Sequence, residues 1–415
     1  MATDGPSLIK SSVKPAICTT IRYCHNYKVV KYTIEGVSGS VIVAKANQKV
    51  VSELGGPNDM FREMQSKNIG LERRMLRKTA DVDLKLSNYQ GDFVAGAGAN
   101  VSAVAHAEPA IYAEEALNAG GASADPDEET SGNADEEDDH HKVEVGARMT
   151  AFGMNFGMPY KFIANGESQS FDDAPEAIRA ARSRLNWAQR VFINDPTGYQ
   201  DFNEELVFAY LEGQKIKYHD DGEKGLGPRI ATLSLGAAAT MSLRVKTKYF
   251  CPISTSGVFT DAKPLPLPLL ESSGYTSGFK GKTKTKTQSK DSYEGRMAAW
   301  EELQCLKQAG DTDGYRRRSK ELPRELGLRR KQADPILSFH LTHGDIVIME
   351  GEQIQKYLEH QVEPHGNLRF ALTCRTVLPN HLTPEQLPPY EVEPDSGRYD
   401  GNAIREDGDG EAVTW

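Results

Sequence analysis

Apolar and polar positions alternate in several short segments of the second half of the chain. Residues 206–210 are apolar, Gly213 follows in a turn, and residues 215–219 alternate again. Alternation with a period of two predicts β-strands, and a glycine between two such runs predicts a hairpin. Residues 229–235 and 240–249 continue the pattern. The sequence therefore predicts a hairpin-rich antiparallel sheet.

The same pattern returns near the end of the chain. Residues 336–339 and 346–349 are apolar, and turns are predicted at His343-Gly344-Asp345 and at Gly351. Residues 369–375 form a further predicted strand with an arginine at each end. Side chains separated by an even number of positions share a strand face, so both arginines point the same way. Two guanidinium groups on one face suit a dicarboxylate ligand.

A helix and an N-terminal α+β segment complete the predicted elements. Asp172 or Asp173 can cap a helix with Pro175 in its first turn. Its apolar residues recur every three or four positions and form a core-facing stripe: Ile178, Ala181, Leu185, Ala188 and Phe192. Residues 28–34 and 40–44 predict a hairpin, and residues 58–76 predict a helix behind Pro57.

A candidate metal site begins at the end of the strand over residues 215–219. His219 and Asp221 lie two positions apart and project to the same side, whereas Asp220 points away. His360, far downstream, completes a set of two imidazoles and one carboxylate. This is the ligand set that holds non-heme Fe(II) and leaves positions open for a cosubstrate and O2. Glu223 is the alternative carboxylate.

The order and spacing of these residues resemble the AlkB family of Fe(II)- and 2-oxoglutarate-dependent dioxygenases. The matching positions, in chain order, are Tyr210, Gly213, His219-x-Asp221, His343-Gly344-Asp345, His360, and the strand from Arg369 to Arg375. The resemblance covers roughly residues 145–377 and skips a long insertion. It implies an α+β fold with a double-stranded β-helix, or jelly roll, as its core.

The resemblance also implies a role for each matching residue. His219, Asp221 and His360 would hold iron. Tyr210 and Arg369 would bind the distal carboxylate of 2-oxoglutarate, and Arg375 would lie near its other end and the metal-bound aspartate. Family members often carry asparagine where this chain has Phe208 and Ala371.

The segment before the predicted helix is a candidate substrate loop. Phe152, Phe156 and Tyr160 alternate with glycine and methionine, as in a lid that stacks on a flipped base. An ordinary strand that packs into the core explains the same residues equally well. The family resemblance favours the lid.

Composition and charge add two unusual segments. The chain has 415 residues, a net charge of −10 and only 38% hydrophobic residues. Residues 91–144 are rich in Ala and Gly and then strongly acidic, which predicts a disordered linker, with a protein-docking segment or a nucleic-acid mimic as alternatives. The insertion at about 265–333 is basic, which fits phosphate binding, a solvated flexible insert or a nuclear-import signal.

These segments predict four regions. They are an N-terminal α+β extension over residues 1–90, the acidic linker over 91–144, the dioxygenase domain over 145–380, and an acidic tail over 381–415. The five cysteines form no CxxC pair, and no apolar stretch is long enough to span a bilayer. We predict an intracellular protein, nuclear or cytoplasmic, with the basic insertion favouring the nucleus.

Three functions remain open. The first is oxidative demethylation of N-methylated bases in DNA or RNA, with release of formaldehyde and succinate. The second is the same iron chemistry on a protein side chain or a small metabolite, since one fold hosts many substrates. The third is a non-catalytic binding module, which the complete set of ligands and arginines argues against. The first requires Fe(II), 2-oxoglutarate and O2, with methylated DNA or RNA as the partner.

Overall fold

A computed structural model describes residues 17–66, 72–76, 148–159, 163–164, 168–193, 199–223, 225–275, 292–378, 380, 382, 384–395 and 399–401. Within these residues the chain combines helices with antiparallel strands, as the sequence predicts. The acidic tract, the lysine run over residues 280–290 and most of the C-terminal tail lie outside the described residues. The boundaries of the four regions stay predictions.

The strands are β1 (Ile17–Cys24), β2 (Tyr27–Ile34), β3 (Ser40–Ala46), β4 (Glu72–Leu76), β5 (Arg148–Gly157), β6 (Ile163–Ala164), β7 (Glu204–Leu211), β8 (Ile216–His219), β9 (Leu226–Gly236), β10 (Ala239–Val245), β11 (Leu337–Leu341), β12 (Ile346–Glu350), β13 (Leu358–Pro364) and β14 (Leu368–Val377). The helices are α1 (Gln48–Ser52), α2 (Pro57–Ser66), α3 (Glu176–Ile193), α4 (Thr247–Phe250), α5 (Leu267–Ser272), α6 (Tyr293–Gln308), α7 (Thr312–Glu325) and α8 (Glu352–Tyr357).

The strands form two antiparallel sheets that enclose a pocket. The major sheet has the order β1-β2-β3-β12-β9-β14-β7-β5-β4-β6, and the minor sheet has the order β11-β10-β13-β8. Residues of both sheets line the pocket between them. The hairpin predicted over residues 28–44 forms, because β2 pairs with β3. The hairpin predicted at Gly213 was wrong, because β7 lies in the major sheet and β8 lies across the pocket in the minor sheet.

Alternation along the central strands separates the pocket from the hydrophobic core. On β14, Arg369, Ala371, Thr373 and Arg375 line the pocket, whereas the residues between them pack on the opposite face: Phe370, Leu372 and Cys374. That opposite face is covered by α2 and α3, and the predicted stripe of α3 is buried there. The helix layer therefore supports the strands that carry the pocket residues.

The N-terminal strands are part of the major sheet, because β3 pairs with β12. The fully buried Asp345 holds this junction: it accepts hydrogen bonds from the backbone N–H of Ala46 at 2.9 Å and of Thr342 at 2.6 Å, and pairs with Lys45. The predicted turn at His343-Gly344-Asp345 therefore also anchors the N-terminal hairpin to the core.

Two predicted element boundaries were wrong. The helix behind Pro57 ends at Ser66, and residues 72–76 form β4. The strand predicted over residues 240–249 ends at Val245, and α4 follows it. At the end of β10 the apolar pattern continues, because Phe250 of α4 packs into the same core as Leu243 and Val245. No helix in the described part of the chain is long and apolar enough to cross a membrane.

Candidate metal centre and cosubstrate pocket

The structure brings His219, Asp221 and His360 together. His219 ends β8, Asp221 follows it in the connecting loop, and His360 lies on β13 directly opposite His219. The imidazole centroids are 4.2 Å apart, and His360 Nε2 lies 3.8 Å from Asp221 Oδ2. One ligand atom from each residue lies within 4.8 Å of the others. The donor set and its spacing fit a facial triad for Fe(II).

The charges around the triad keep its members in metal-binding forms. Burial alone would raise the pKa of Asp221, but Arg375 and the two imidazoles outweigh burial and lower this pKa to about 2. Burial, with the neighbouring His219, lowers the pKa of His360 to about 3. At neutral pH the site therefore offers a carboxylate and a neutral imidazole, the protonation states that coordinate a metal.

The His219 ring is oriented by the backbone of its own strand. Its Nδ1–H donates to the Lys217 carbonyl oxygen at 2.8 Å. A hydrogen bond at one ring nitrogen fixes the tautomer and leaves the other nitrogen free to bind metal. His219 Nε2 is therefore the ring nitrogen that is available to a metal.

Arg375 lies between two buried carboxylates. Its Nη2 donates to Asp221 Oδ1 at 3.2 Å and its Nη1 donates to Glu204 Oε2 at 3.4 Å. Glu204 is fully buried and faces Arg375 across the β7–β14 pair. Burial raises the pKa of Glu204 to about 8 against the opposing effect of Arg375. Glu204 and Asp221 together fix where the guanidinium group of Arg375 points.

Arg369 is a buried cation that faces the pocket. It is 1% exposed, and its Nη2 donates to Ser234 Oγ at 3.0 Å. Its Nε has no hydrogen-bond partner, and it forms no ion pair among the described residues. Burial lowers the pKa of Arg369, and Tyr210 is the only group that opposes this effect. A buried guanidinium group without a carboxylate is unfavourable unless a ligand supplies one.

Tyr210 completes the same end of the pocket. It lies directly opposite Arg369 across the β7–β14 pair, with its ring centroid 5.6 Å from Arg369 Cζ. Burial raises the pKa of Tyr210 to about 12, so its hydroxyl stays a hydrogen-bond donor at neutral pH. A donor hydroxyl beside an unpaired guanidinium group fits the distal carboxylate of 2-oxoglutarate.

The two positions that differ from the AlkB pattern face each other. Ala371 lies directly opposite Phe208, and both belong to a small apolar cluster with Leu206, Tyr210 and Ile216. An amide pair at these positions is thus replaced by an apolar contact on the pocket wall. Charge pairing at Arg369 and Arg375 does not depend on these two positions.

Glu223 is close to the triad but outside the cluster of potential ligands. Burial, together with the charge of Asp221, raises the pKa of Glu223 to about 7. Its Oε2 is buried and has no hydrogen-bond partner among the described residues. This carboxyl group can accept a hydrogen bond from a molecule that enters the site.

Two of the three aromatic residues of the predicted lid, Phe152 and Phe156, do not line the pocket. Phe152 and Phe156 lie on β5 opposite Ala209 and Glu205, which face the helix layer. Phe156 is fully buried and packs against Phe171, with ring centroids 6.4 Å apart. The lid interpretation of these two residues was wrong, and the alternative, an ordinary strand that packs into the core, describes them. Tyr160 lies outside the described residues.

A stability measurement tests this correction. Phe156→Ala should lower the free energy of unfolding by about 3–5 kcal/mol, the usual cost of emptying a buried phenylalanine site. The KM for substrate, measured below the unfolding transition, should not change. A rise in that KM with little loss of stability would instead show that Phe156 contacts the substrate.

Two hydrogen-bond partners of the pocket arginines were not identified from the sequence. Glu204 lies six positions before Tyr210 and therefore on the same strand face, so alternation along β7 contained a signal for Glu204. Ser234, which accepts from Arg369, lies on β9, and only the pairing of β9 with β14 brings it there.

Three comparisons place the chain among known proteins. A family model described as "2OG-Fe(II) oxygenase superfamily" matches residues 138–375, more than half of the chain. The solved structure of OsALKBH1 is similar at 12% identity over 57% of this chain and 82% of that chain, with a TM-score of 0.26. No curated protein matches the sequence significantly.

Proposed function

Because the chain belongs to the 2OG-Fe(II) oxygenase superfamily and is an Fe(II)- and 2-oxoglutarate-dependent dioxygenase, we propose that it removes N-methyl groups from bases in DNA or RNA. The observation that carries this proposal is the arrangement of one pocket. The triad, the unpaired Arg369 and the AlkB-like spacing from Tyr210 to Arg375 occur together there. We also interpret strands β7 to β14 as the jelly-roll core, because they line this pocket from both sheets.

Each pocket residue has a role in the proposed reaction. His219, Asp221 and His360 would hold iron, Arg369 and Tyr210 would bind the distal carboxylate of 2-oxoglutarate, and Arg375 would orient Asp221. The bound iron, with O2 and 2-oxoglutarate, supplies the oxidation that turns N–CH3 into N–CH2OH while 2-oxoglutarate becomes succinate and CO2. The N–CH2OH group then breaks at its C–N bond to give formaldehyde and the N–H base.

Glu223 supports a nitrogen-rich, positively polarised substrate. Its buried carboxyl oxygen has no partner among the described residues and lies beside the metal ligands. Such an oxygen is costly to bury unless a donor reaches it. The exocyclic amino group of adenine or cytosine, or the positive charge of a ring methylated on nitrogen, would supply that interaction.

The test is a substrate panel. The purified protein is incubated with Fe(II), 2-oxoglutarate and oligonucleotides that carry N-methylated adenine or cytosine, and mass spectrometry follows the methyl group and formaldehyde. We expect demethylation that disappears in His219→Ala. If succinate forms while every oligonucleotide stays methylated, the nucleic-acid proposal fails. N-methylated protein side chains and small metabolites would then be tested, since Glu223 suits their cations as well.

A further inference from the structure

The helical insertion between β10 and β11 carries an unusual concentration of positive charge. Residues 312–331, which cover α7 and the segment after it, contain eight arginine and lysine residues but only three carboxylates. The whole chain, in contrast, has a net charge of −10. The positive charge is therefore local and cannot be explained by composition.

The ion-paired charges of α7 and its unpaired cations lie on different faces of the helix. Arg318 binds Glu302 of α6 at 2.5 Å, Glu321 at 2.7 Å and Glu325 at 2.8 Å. Two of the three carboxylates of this segment are thus turned toward Arg318 and toward α6. The remaining carboxylate, Asp313, lies in the first turn of α7, where a negative charge interacts favourably with the helix dipole.

A second face of α7 carries exposed cations. Arg316, Lys320 and Arg324 are spaced four residues apart, which places them on one face along about 12 Å of helix. All three are exposed, and none forms an ion pair with a described residue. We call these three residues the α7 stripe. A length of about 12 Å corresponds to three or four phosphates of one strand.

The segment after α7 contacts β10 of the minor sheet through Gln332. Arg329, Arg330 and Lys331 are exposed, and the Arg329 carbonyl oxygen accepts from the Cys251 thiol at 3.1 Å. The next residue, Gln332, accepts from Arg244 Nη1 at 2.8 Å through its side-chain oxygen.

Arg244 joins this segment to β13, the strand that carries His360. Its Nε donates to Glu359 at 2.5 Å, and Glu359 directly precedes His360. On the other side of the triad, Lys246 pairs at 2.8 Å with Asp220, which directly precedes Asp221. Gln332 and Arg244 therefore connect the basic segment to the outer face of the minor sheet, on the strand that carries His360.

We propose that the α7 stripe binds the phosphodiester backbone of the nucleic acid whose base enters the metal pocket, an inference that rests on the proposed function. Phosphate contacts need exposed cations free of internal carboxylate partners, and they position a strand without reading its sequence. The stripe meets that requirement, whereas Arg318 on the same helix does not. The insertion would then hold the strand while the pocket selects the methylated base.

The test compares two triple variants of equal charge. Arg316→Gln, Lys320→Gln and Arg324→Gln together remove the stripe. Arg62→Gln, Arg179→Gln and Lys215→Gln together remove three other exposed cations, each of which already pairs with a carboxylate of the chain: Asp59, Glu176 and Glu363. Both variants change the net charge by the same amount. Equal thermal midpoints for the two variants and the wild type would show that all three proteins are folded.

The readout is the fluorescence anisotropy of a labelled single-stranded DNA oligonucleotide, titrated at several salt concentrations. Loss of three phosphate contacts should reduce the slope of log affinity against log salt by about 2, at about 0.7 per contact for a single strand. The control variant should keep the wild-type slope and affinity.

The possible failures are distinct. If the stripe variant keeps the wild-type slope, or if the control variant loses as much, the stripe proposal is overturned while the demethylase proposal stands. If the wild type itself does not bind the oligonucleotide, the stripe proposal fails, and the substrate panel alone decides the demethylase proposal. Binding that depends on the stripe, without demethylation in the substrate panel, would leave the stripe in place and refute the demethylase.

Discussion

Asp221→Ala should abolish iron binding and 2-oxoglutarate turnover together. Asp221 is the only carboxylate in the described cluster of potential ligands, and two neutral imidazoles alone leave the positive charge of the metal uncompensated. Loss of a residue that merely supports a ligand typically costs about 10- to 100-fold in metal affinity, so loss of the ligand itself should cost more. Metal affinity can be measured by titration with Co(II), and turnover by succinate formation.

Glu223→Ala is the matched control, because it removes a neighbouring buried carboxyl group that lies outside the cluster. It should keep the Co(II) affinity of the wild type to within about tenfold, the lower limit for a supporting residue. If Glu223→Ala abolishes Co(II) binding while Asp221→Ala keeps it within about tenfold of the wild type, the assignment of Asp221 as a ligand is refuted. In that case Glu223 is the ligand and Asp221 is a partner of Arg375.

Residue spacing predicted which candidate residues share the pocket wherever they lie on one strand and the loop that continues it. His219 and Asp221 follow from their separation of two, and Arg369 and Arg375 follow from theirs of six; the structure places each pair on the same pocket. The pairing of His360 with His219 required a contact between distant strands. Only the resemblance to a family, and not the local pattern, could supply that long-range contact.

The failed prediction at β5 has a physical cause. In residues 152–157 the large side chains alternate with Gly153, Asn155 and Gly157, and such a pattern predicts a strand with one apolar face. It does not say whether that face meets a ligand or a helix. Pairing with β7 decides the matter, because Phe152 lies opposite Ala209, which is packed under α3. Local sequence therefore predicts the strand β5 and its apolar face. It does not predict whether that face contacts the helix layer or the pocket.

Arg369→Met should raise the KM for 2-oxoglutarate strongly without destabilising the protein. Loss of one partner of a buried, hydrogen-bonded charge pair costs about 2–5 kcal/mol, which corresponds to roughly 30-fold to several thousandfold in affinity. In the protein without cosubstrate, however, Arg369 has no carboxylate among the described residues, and only Ser234 accepts from it. Removing an unpaired buried cation should leave the thermal midpoint unchanged or raise it.

Arg182→Met separates this cosubstrate role from a structural one. Arg182 is also buried, but it lies on α3 and donates to the carbonyl oxygens of Phe202 and Glu393, each at 2.8 Å. Its loss leaves two backbone acceptors without their donor, so it should lower the thermal midpoint and leave the KM for 2-oxoglutarate unchanged. If Arg369→Met behaves like Arg182→Met, Arg369 supports the fold and the cosubstrate carboxylate is bound elsewhere. If the two variants diverge as expected, the unpaired charge of Arg369 is retained for its ligand at the expense of stability.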